Sequence, residues 1–173
     1  MPTNDFTAYS VNKMTEKEAR SIAEWRYEAP YELYNVTGDL EEILQELLDG
    51  SYYAVRSSGD ELVGFFCYGR NAQVPGGLRQ GLYTGESVID IGLGLKPELT
   101  GRGLGLEFLR AGIAYAARTF APRKLRLSVA AFNTRAIALY SKAGFDPAGQ
   151  FDNTADGQTI RFVLMEMEVP ASG

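Results

Sequence analysis

The stretch from Ile89 to Phe120 constrains this chain more than any other. An apolar run, Ile89-Asp90-Ile91-Gly92-Leu93-Gly94-Leu95, reads as a strand and ends at Lys96-Pro97. After a short turn, Thr100-Gly101-Arg102-Gly103-Leu104-Gly105 opens a long apolar helix. Strand, glycine loop and helix N-terminus in that order suit phosphate. The N–H groups of a first helical turn lack intrahelical acceptors, the helix dipole favours negative charge, and glycine lets a bulky anion reach the backbone. The spacing therefore predicts a phosphorylated small molecule held near Gly103.

Two familiar glycine loops do not fit. A Walker A loop needs Lys and Ser/Thr after its last glycine, where this chain has Leu106 and Glu107. A dinucleotide fingerprint starts well at Gly101-Arg102-Gly103, but counted from Gly103-Leu104-Gly105 its third glycine falls on Phe108. A third pattern, Gln/Arg-x-x-Gly-x-Gly/Ala entered from a strand that ends in proline, fits residues 100–105 everywhere except the first position, Thr100. A second motif lies downstream. Leu125-Arg126-Leu127-Ser128-Val129-Ala130 alternates like a strand. Asn133-Thr134-Arg135-Ala136-Ile137-Ala138-Leu139-Tyr140-Ser141-Lys142-Ala143-Gly144-Phe145 then fills N-x-x-A-x-x-x-Y-x-x-x-G-F at every specified position. Two motifs in order, one helix and one strand apart, resemble the GNAT superfamily of N-acetyltransferases. The resemblance is carried by residues 88–146 and extends to about 61–169 through the flanking strand pairs.

The rest of the chain gives a coarse order of elements. A strand is expected over residues 6–13, and Thr15 with Glu18 makes a capping box for a helix running to about Glu28. Pro30 interrupts, and Gly38-Asp39 starts a second helix, Leu40 to Leu48, with Ile43, Leu44, Leu47 and Leu48 on its buried face. Residues 51–56 and 61–68 form a hairpin, and 70–84 a long loop of the kind used as a lid. Strand 88–95, helix 103–120, strand 124–130, helix 133–143 ended by Gly144, and two last strands around Asp156-Gly157 complete the order. Helix 103–120 shows polar or small residues at Glu107, Arg110, Ala114 and Arg118, so its remaining faces are expected to be buried. The order β-α-α-β-β-β-α-β-α-β-β matches the fold that the resemblance implies: an α/β (α+β) domain over residues 1–173 with a mixed central sheet, splayed at the cofactor site.

The resemblance implies acetyl-CoA (coenzyme A) as the cofactor. Its pyrophosphate is expected on the backbone of Gly101, Arg102, Gly103, Leu104 and Gly105, with the Arg102 guanidinium adding a charge-assisted contact. Thr100 departs from the family pattern and removes one side-chain contact. The pantetheine amides pair with a strand edge, here Leu93, Gly94 and Leu95, where Gly92 and Gly94 suit a bulge. The Leu95 N–H is placed to stabilise the tetrahedral oxyanion. Tyr140 matches the family tyrosine beside the sulfur, and a phenol suits protonation of the leaving thiolate; on an amphipathic helix it also suits plain core packing. Asn133 is read both as helix cap and as cofactor contact. The acetyl group would pass to an amine by direct attack in a ternary complex, since no side chain stands out as a covalent nucleophile. With no histidine, the base must be a carboxylate, a tyrosine or water. Asp90 is the first candidate and Glu86 the second; a salt bridge explains either equally well. Two rivals to an acetyltransferase stay open: transfer of another acyl group, and a CoA-binding sensor without turnover.

The chain has 173 residues and a net charge of −5, which suits one domain and disfavours nucleic acid. One cysteine and no histidine disfavour a thiolate or imidazole metal site, and Cys67 reads as a buried core thiol. No apolar run approaches a membrane span, and residues 1–5 lack a signal-peptide start, so a cytoplasmic protein is expected. Residues 1–60 hold 5 Lys/Arg against 12 Asp/Glu, while 61–173 hold 12 against 10. The acidic half includes Trp25 to Asn35, where Tyr27, Glu28, Tyr31 and Glu32 are candidates for binding a cationic amine, a small molecule or a peptide. Solvated helices and aromatic packing explain the same residues. The last strands are suited to pairing in a homodimer.

Overall fold

The computed structural model describes residues 9–170. Seven strands occur in the neighbour order β1-β2-β3-β4-β5-β7-β6. They are β1 (Tyr9–Lys13), β2 (Tyr52–Ser57), β3 (Leu62–Tyr68), β4 (Val88–Leu95), β5 (Lys124–Ala130), β6 (Asp146–Ala155) and β7 (Gln158–Glu168). Helices are α1 (Glu16–Ala23), α2 (Leu40–Leu47), α3 (Pro75–Arg79), α4 (Gly105–Phe120) and α5 (Thr134–Ala143). The chain divides into two compact units, Met1–Phe66 with Leu93–Ala111, and Cys67–Gly92 with Gly112–Gly173. Every crossing between them falls inside an element, β3, β4 or α4, rather than in a linker.

In the first unit β1 runs antiparallel to β2, from Tyr9↔Ser57 to Lys13↔Tyr53. Residues 6–8 of the expected first strand lie outside the described residues. The capping box forms: Thr15 Oγ1 accepts from the Glu18 N–H at 3.3 Å, and Glu18 Oε1 accepts from the Thr15 N–H at 3.0 Å. Glu18 is buried, and its other oxygen takes Arg56 Nε at 2.7 Å. Burial pushes the Glu18 carboxyl up, but the Thr15 and Arg56 contacts outweigh it and hold the group below its usual range. Helix α1 ends at Ala23, not near Glu28. Arg26 Nη1 donates to the carbonyls of Ala23 and Trp25, and the Trp25 ring stacks on Phe65 at 6.2 Å. Those contacts turn the chain out of the helix. In α2 only Leu47 is fully buried; Ile43 and Leu44 are half-buried, while Leu48, expected inside, is exposed past the helix end.

Glycines in the paired strands answer to close aromatic packing. A Cβ on Gly94 would lie 2.3 Å from the Phe65 ring, and one on Gly64 would lie 2.5 Å from Phe108. Strand β4 is continuous from Val88 to Leu95.

In the second unit β4 runs parallel to β5, and β5–β7 and β7–β6 are antiparallel. Among the described residues the β4–β5 register covers Val88↔Lys124, Ile89↔Leu125 and Asp90↔Arg126. Ile91 and Gly92 are therefore past the end of that ladder. The hairpin β6–β7 turns on Asp156 and Gly157, both at positive φ. Residues 70–84 are not an open lid. They hold the short helix α3, started by Pro75, and the Gly76 N–H donates to Asn153 Oδ1 at 2.8 Å. A Cβ on Gly76 would lie 2.2 Å from the Asp152 carbonyl, so only glycine fits that approach. Helix α4, whose residues up to Ala111 belong to the first unit, exposes Glu107, Arg110, Ala114 and Arg118 and buries Phe108, Leu109 and Ala116 as its sequence pattern requires. Cys67 is buried and free, and no helix among the described residues is long and apolar enough to cross a membrane.

Candidate active site

In the first unit, β4 leads through Lys96-Pro97 into a short turn. Thr100 Oγ1 donates to the Pro97 carbonyl at 2.7 Å. The hydroxyl that stands where the family pattern has Gln or Arg is thus used to brace the turn. Gly101 and Gly103 both take positive φ, +73° and +77°, on either side of Arg102. Alternation of left-handed and other residues curls successive N–H groups toward one concavity, a backbone anion nest. Among the described residues the N–H groups of Gly101, Arg102, Gly103 and Leu104 have no protein acceptor. The 16-residue helix α4 begins immediately after, at Gly105, adding its dipole. A Cβ at Gly103 would meet nothing within 4 Å, so the space on the Cβ side of that residue is open.

The last peptide of β4 is held at both ends. The Lys96 N–H donates to the Val63 carbonyl of β3 at 2.8 Å, and the Leu95 carbonyl accepts from Tyr27 Oη at 2.7 Å. The Tyr27 backbone is itself clasped by Asn35, whose Oδ1 accepts from the Tyr27 N–H at 2.5 Å. Burial pushes the Tyr27 phenol far above its ordinary value, and the charge of Glu98 adds to the shift. Glu98 escaped notice in the sequence because it lies in the short turn between β4 and the glycine loop. Of the aromatic residues between Trp25 and Asn35, Trp25 belongs to the core and cannot line a cation site. Tyr31 and Tyr34 stack at 6.5 Å, and Glu28 and Glu32 are exposed beside them.

In the second unit, Asp90 sits on the last rung of the β4–β5 ladder opposite Arg126. Arg126 Nε donates to Asp90 Oδ1 at 2.6 Å and Nη2 to Oδ2 at 2.9 Å, and Gln73 Nε2 reaches Oδ2 at 2.8 Å. Both side chains are almost fully buried. Arg126 also donates to the Thr84 carbonyl at 2.8 Å and lies 5.1 Å from the Tyr83 ring centre. The Asp90 hydrogen bond holds the guanidinium above its ordinary range. Of the two explanations for a carboxylate in this strand, the salt bridge is the one present. A base role for Asp90 would require breaking a bidentate buried pair. Glu86 is exposed in the turn before β4.

Asn133 caps α5, its side chain accepting from the Ala136 N–H at 3.1 Å. Tyr140 is half-buried on α5 with its ring edge-on to Phe145 at 6.2 Å. Gly144 ends the helix at φ +116°.

Residues 19–145 match the family model described as Acetyltransferase (GNAT) family. No curated protein is significantly similar to the sequence. Among solved structures, the chain is similar to a chimera of spermidine N-acetyltransferase SpeG from Vibrio cholerae and hSSAT, with TM-score 0.73, 17% identity, and 93% of this chain and 95% of that one covered. An acetyltransferase (GNAT family) from Bacillus anthracis gives TM-score 0.72 at 15% identity, covering 93% and 95%. AAC(6')-Ib in complex with ribostamycin and coenzyme A gives TM-score 0.70 at 20% identity, covering 93% of each chain. At such identities the structures speak for the fold, and it is the family model, spanning both motif blocks, that shows the chain to belong to the GNAT family of acetyltransferases.

Proposed function

We propose that this chain moves an acetyl group from acetyl-CoA to the amine of a cationic acceptor, by direct attack in a ternary complex. The observation that carries the reading is the nest of unpartnered N–H groups at Gly101 to Leu104, opening onto the N-terminus of α4. A pyrophosphate bound there takes hydrogen bonds from a preformed backbone and a charge-assisted one from Arg102. The edge of β4 at Leu93, Gly94 and Leu95 offers amide groups to pantetheine. Asn133 contacts the cofactor in addition to capping α5. Tyr140 protonates the departing thiolate, and the Leu95 N–H stabilises the oxyanion.

The acceptor side is assigned to Tyr27, Glu28, Tyr31 and Glu32, with Glu98 adding a carboxylate near Tyr27. Support for a cationic acceptor comes from the excess of 12 acidic over 5 basic residues in positions 1–60. The structural neighbours include a spermidine N-acetyltransferase and an enzyme bound to ribostamycin, both amine-rich ligands. The test is release of free thiol from acetyl-CoA across polyamines, aminoglycosides, basic peptides and neutral or acidic amino acids, at two ionic strengths. Turnover favouring cations, and weakening as salt rises, is the expected result. Preference for acidic acceptors refutes the cationic assignment. Binding of acetyl-CoA without turnover on any amine refutes the transferase reading.

A further inference from the structure

The trans peptide between Leu95 and Lys96 points its carbonyl and its N–H in opposite directions. Its N–H is spent on Val63 of β3. The Leu95 carbonyl is therefore directed to the other edge of β4, away from β3, and there it meets the Tyr27 hydroxyl. In an extended strand the N–H and carbonyl of one residue face the same edge. The Leu95 N–H, the donor assigned to the oxyanion, thus faces the edge on which the Tyr27 oxygen sits. Tyr27 has one proton, and it is given to Leu95; the phenol oxygen keeps its acceptor capacity.

We infer that Tyr27 positions the attacking amine: its oxygen, fixed by donating to the Leu95 carbonyl, accepts an N–H of the acceptor beside the oxyanion donor. The role rests on the transferase reading above and sharpens it from an aromatic wall to one hydrogen bond at the reacting nitrogen. In the step it serves, the amine nitrogen forms a bond to the thioester carbon and the C–S bond breaks. The thiolate leaves with the bonding pair and takes a proton, and the nitrogen loses one. Tyr27 supplies neither proton. Burial and the Glu98 charge keep the phenol protonated throughout the working range, so it orients the nitrogen and does not act as base. Glu98 favours an acceptor whose remaining groups are cationic.

Tyr27→Phe tests this, because it keeps the ring and removes only the hydroxyl. The expected result is a fall of about tenfold in kcat/KM for the best amine, the worth of one such hydrogen bond. The KM for acetyl-CoA, and the slow hydrolysis of acetyl-CoA without amine, should change by less than about twofold. Hydrolysis uses the Leu95 N–H but no amine contact, so it separates positioning of the acceptor from a structural effect on β4. An equal fall in hydrolysis and in aminolysis overturns the inference, and so does an unchanged kcat/KM for amine. If Tyr27→Phe fails to fold, 3-fluorotyrosine at position 27 carries the test: it keeps the donor and weakens the oxygen as acceptor. A lower kcat/KM for amine with unchanged hydrolysis supports the inference, and no difference refutes it. A parent chain that binds acetyl-CoA yet acetylates nothing sinks the transferase reading itself, whereas an active parent matched by Tyr27→Phe sinks only this inference.

Discussion

Arg126→Met should destabilise the fold far more than an average substitution. The side chains of Arg126 and Asp90 are 4% and 3% exposed. Methionine roughly fills the space but leaves the Asp90 carboxylate with Gln73 as its remaining side-chain donor, and the Thr84 carbonyl loses its Arg126 donor. Removing one partner of a buried pair costs about 3–5 kcal/mol. For a chain of this length each kcal/mol lowers Tm by about 2–4 °C, so a drop on the order of 10 °C is expected. Asp90→Leu should cost a similar amount by stranding the guanidinium. The double variant, Asp90→Leu with Arg126→Met, should cost much less than the sum, because no unpaired charge is left and a buried pair is often worth little against apolar packing. The assay is urea unfolding at pH ~7, with m compared across the set so that changes in midpoint report stability. A coupling of at least about 2 kcal/mol is required by the geometry. Additive single effects, or an Arg126→Met variant within about 1 kcal/mol of the parent, would refute the claim that the two charges are buried and bonded to each other.

Three further outcomes follow, two from the site and one from α1. Gly103→Val should abolish the rise in Tm given by acetyl-CoA, a rise that linkage puts at about 2.7 kcal/mol of stability for ligand at 100-fold Kd; a Cβ there meets nothing, but the positive φ strains a β-branched residue, so the variant should fold at a lower Tm than the parent, and equal stabilisation of the parent by ATP with magnesium would sink the CoA assignment. Tyr140→Phe should lower kcat more than it raises the KM for acetyl-CoA, by about 10²–10⁴-fold for a lost general acid, and an unchanged kcat would leave Tyr140 a packing residue. Glu18 is held below its usual pKa in the folded chain, so its contribution is complete above the unfolded carboxylate range and is lost as pH falls through the lowered folded value; the stability gap between parent and Glu18→Gln should narrow on acidification, and a gap independent of pH would contradict the Thr15 and Arg56 contacts.

The motif blocks were legible because each is local. A glycine loop, a capping asparagine and a terminating glycine act within a few residues, and the loop at Gly101 to Gly105, the cap at Asn133 and the turn at Gly144 stand where the sequence puts them. The periodicity of α4 was legible for the same reason. What stayed hidden depends on partners distant in sequence. Asp90 reads as base or as ion pair until Arg126, 36 residues on, is seen on the same rung. Residues 70–84 read as a lid because their glycines resemble loop glycines, yet Gly76 is small to let β6 approach. Tyr27 looked like one tyrosine among several; its hydroxyl reaches Leu95, 68 residues away. That contact changes how the whole Trp25 to Asn35 segment is understood. A tyrosine placed by its ring selects cations by surface and charge, whereas one placed by its hydroxyl ties the segment to the strand whose Leu95 N–H we propose as the oxyanion donor. On the second reading, acceptor specificity and catalytic geometry share a residue, and a substitution that alters the Trp25 to Asn35 segment should change rate along with affinity.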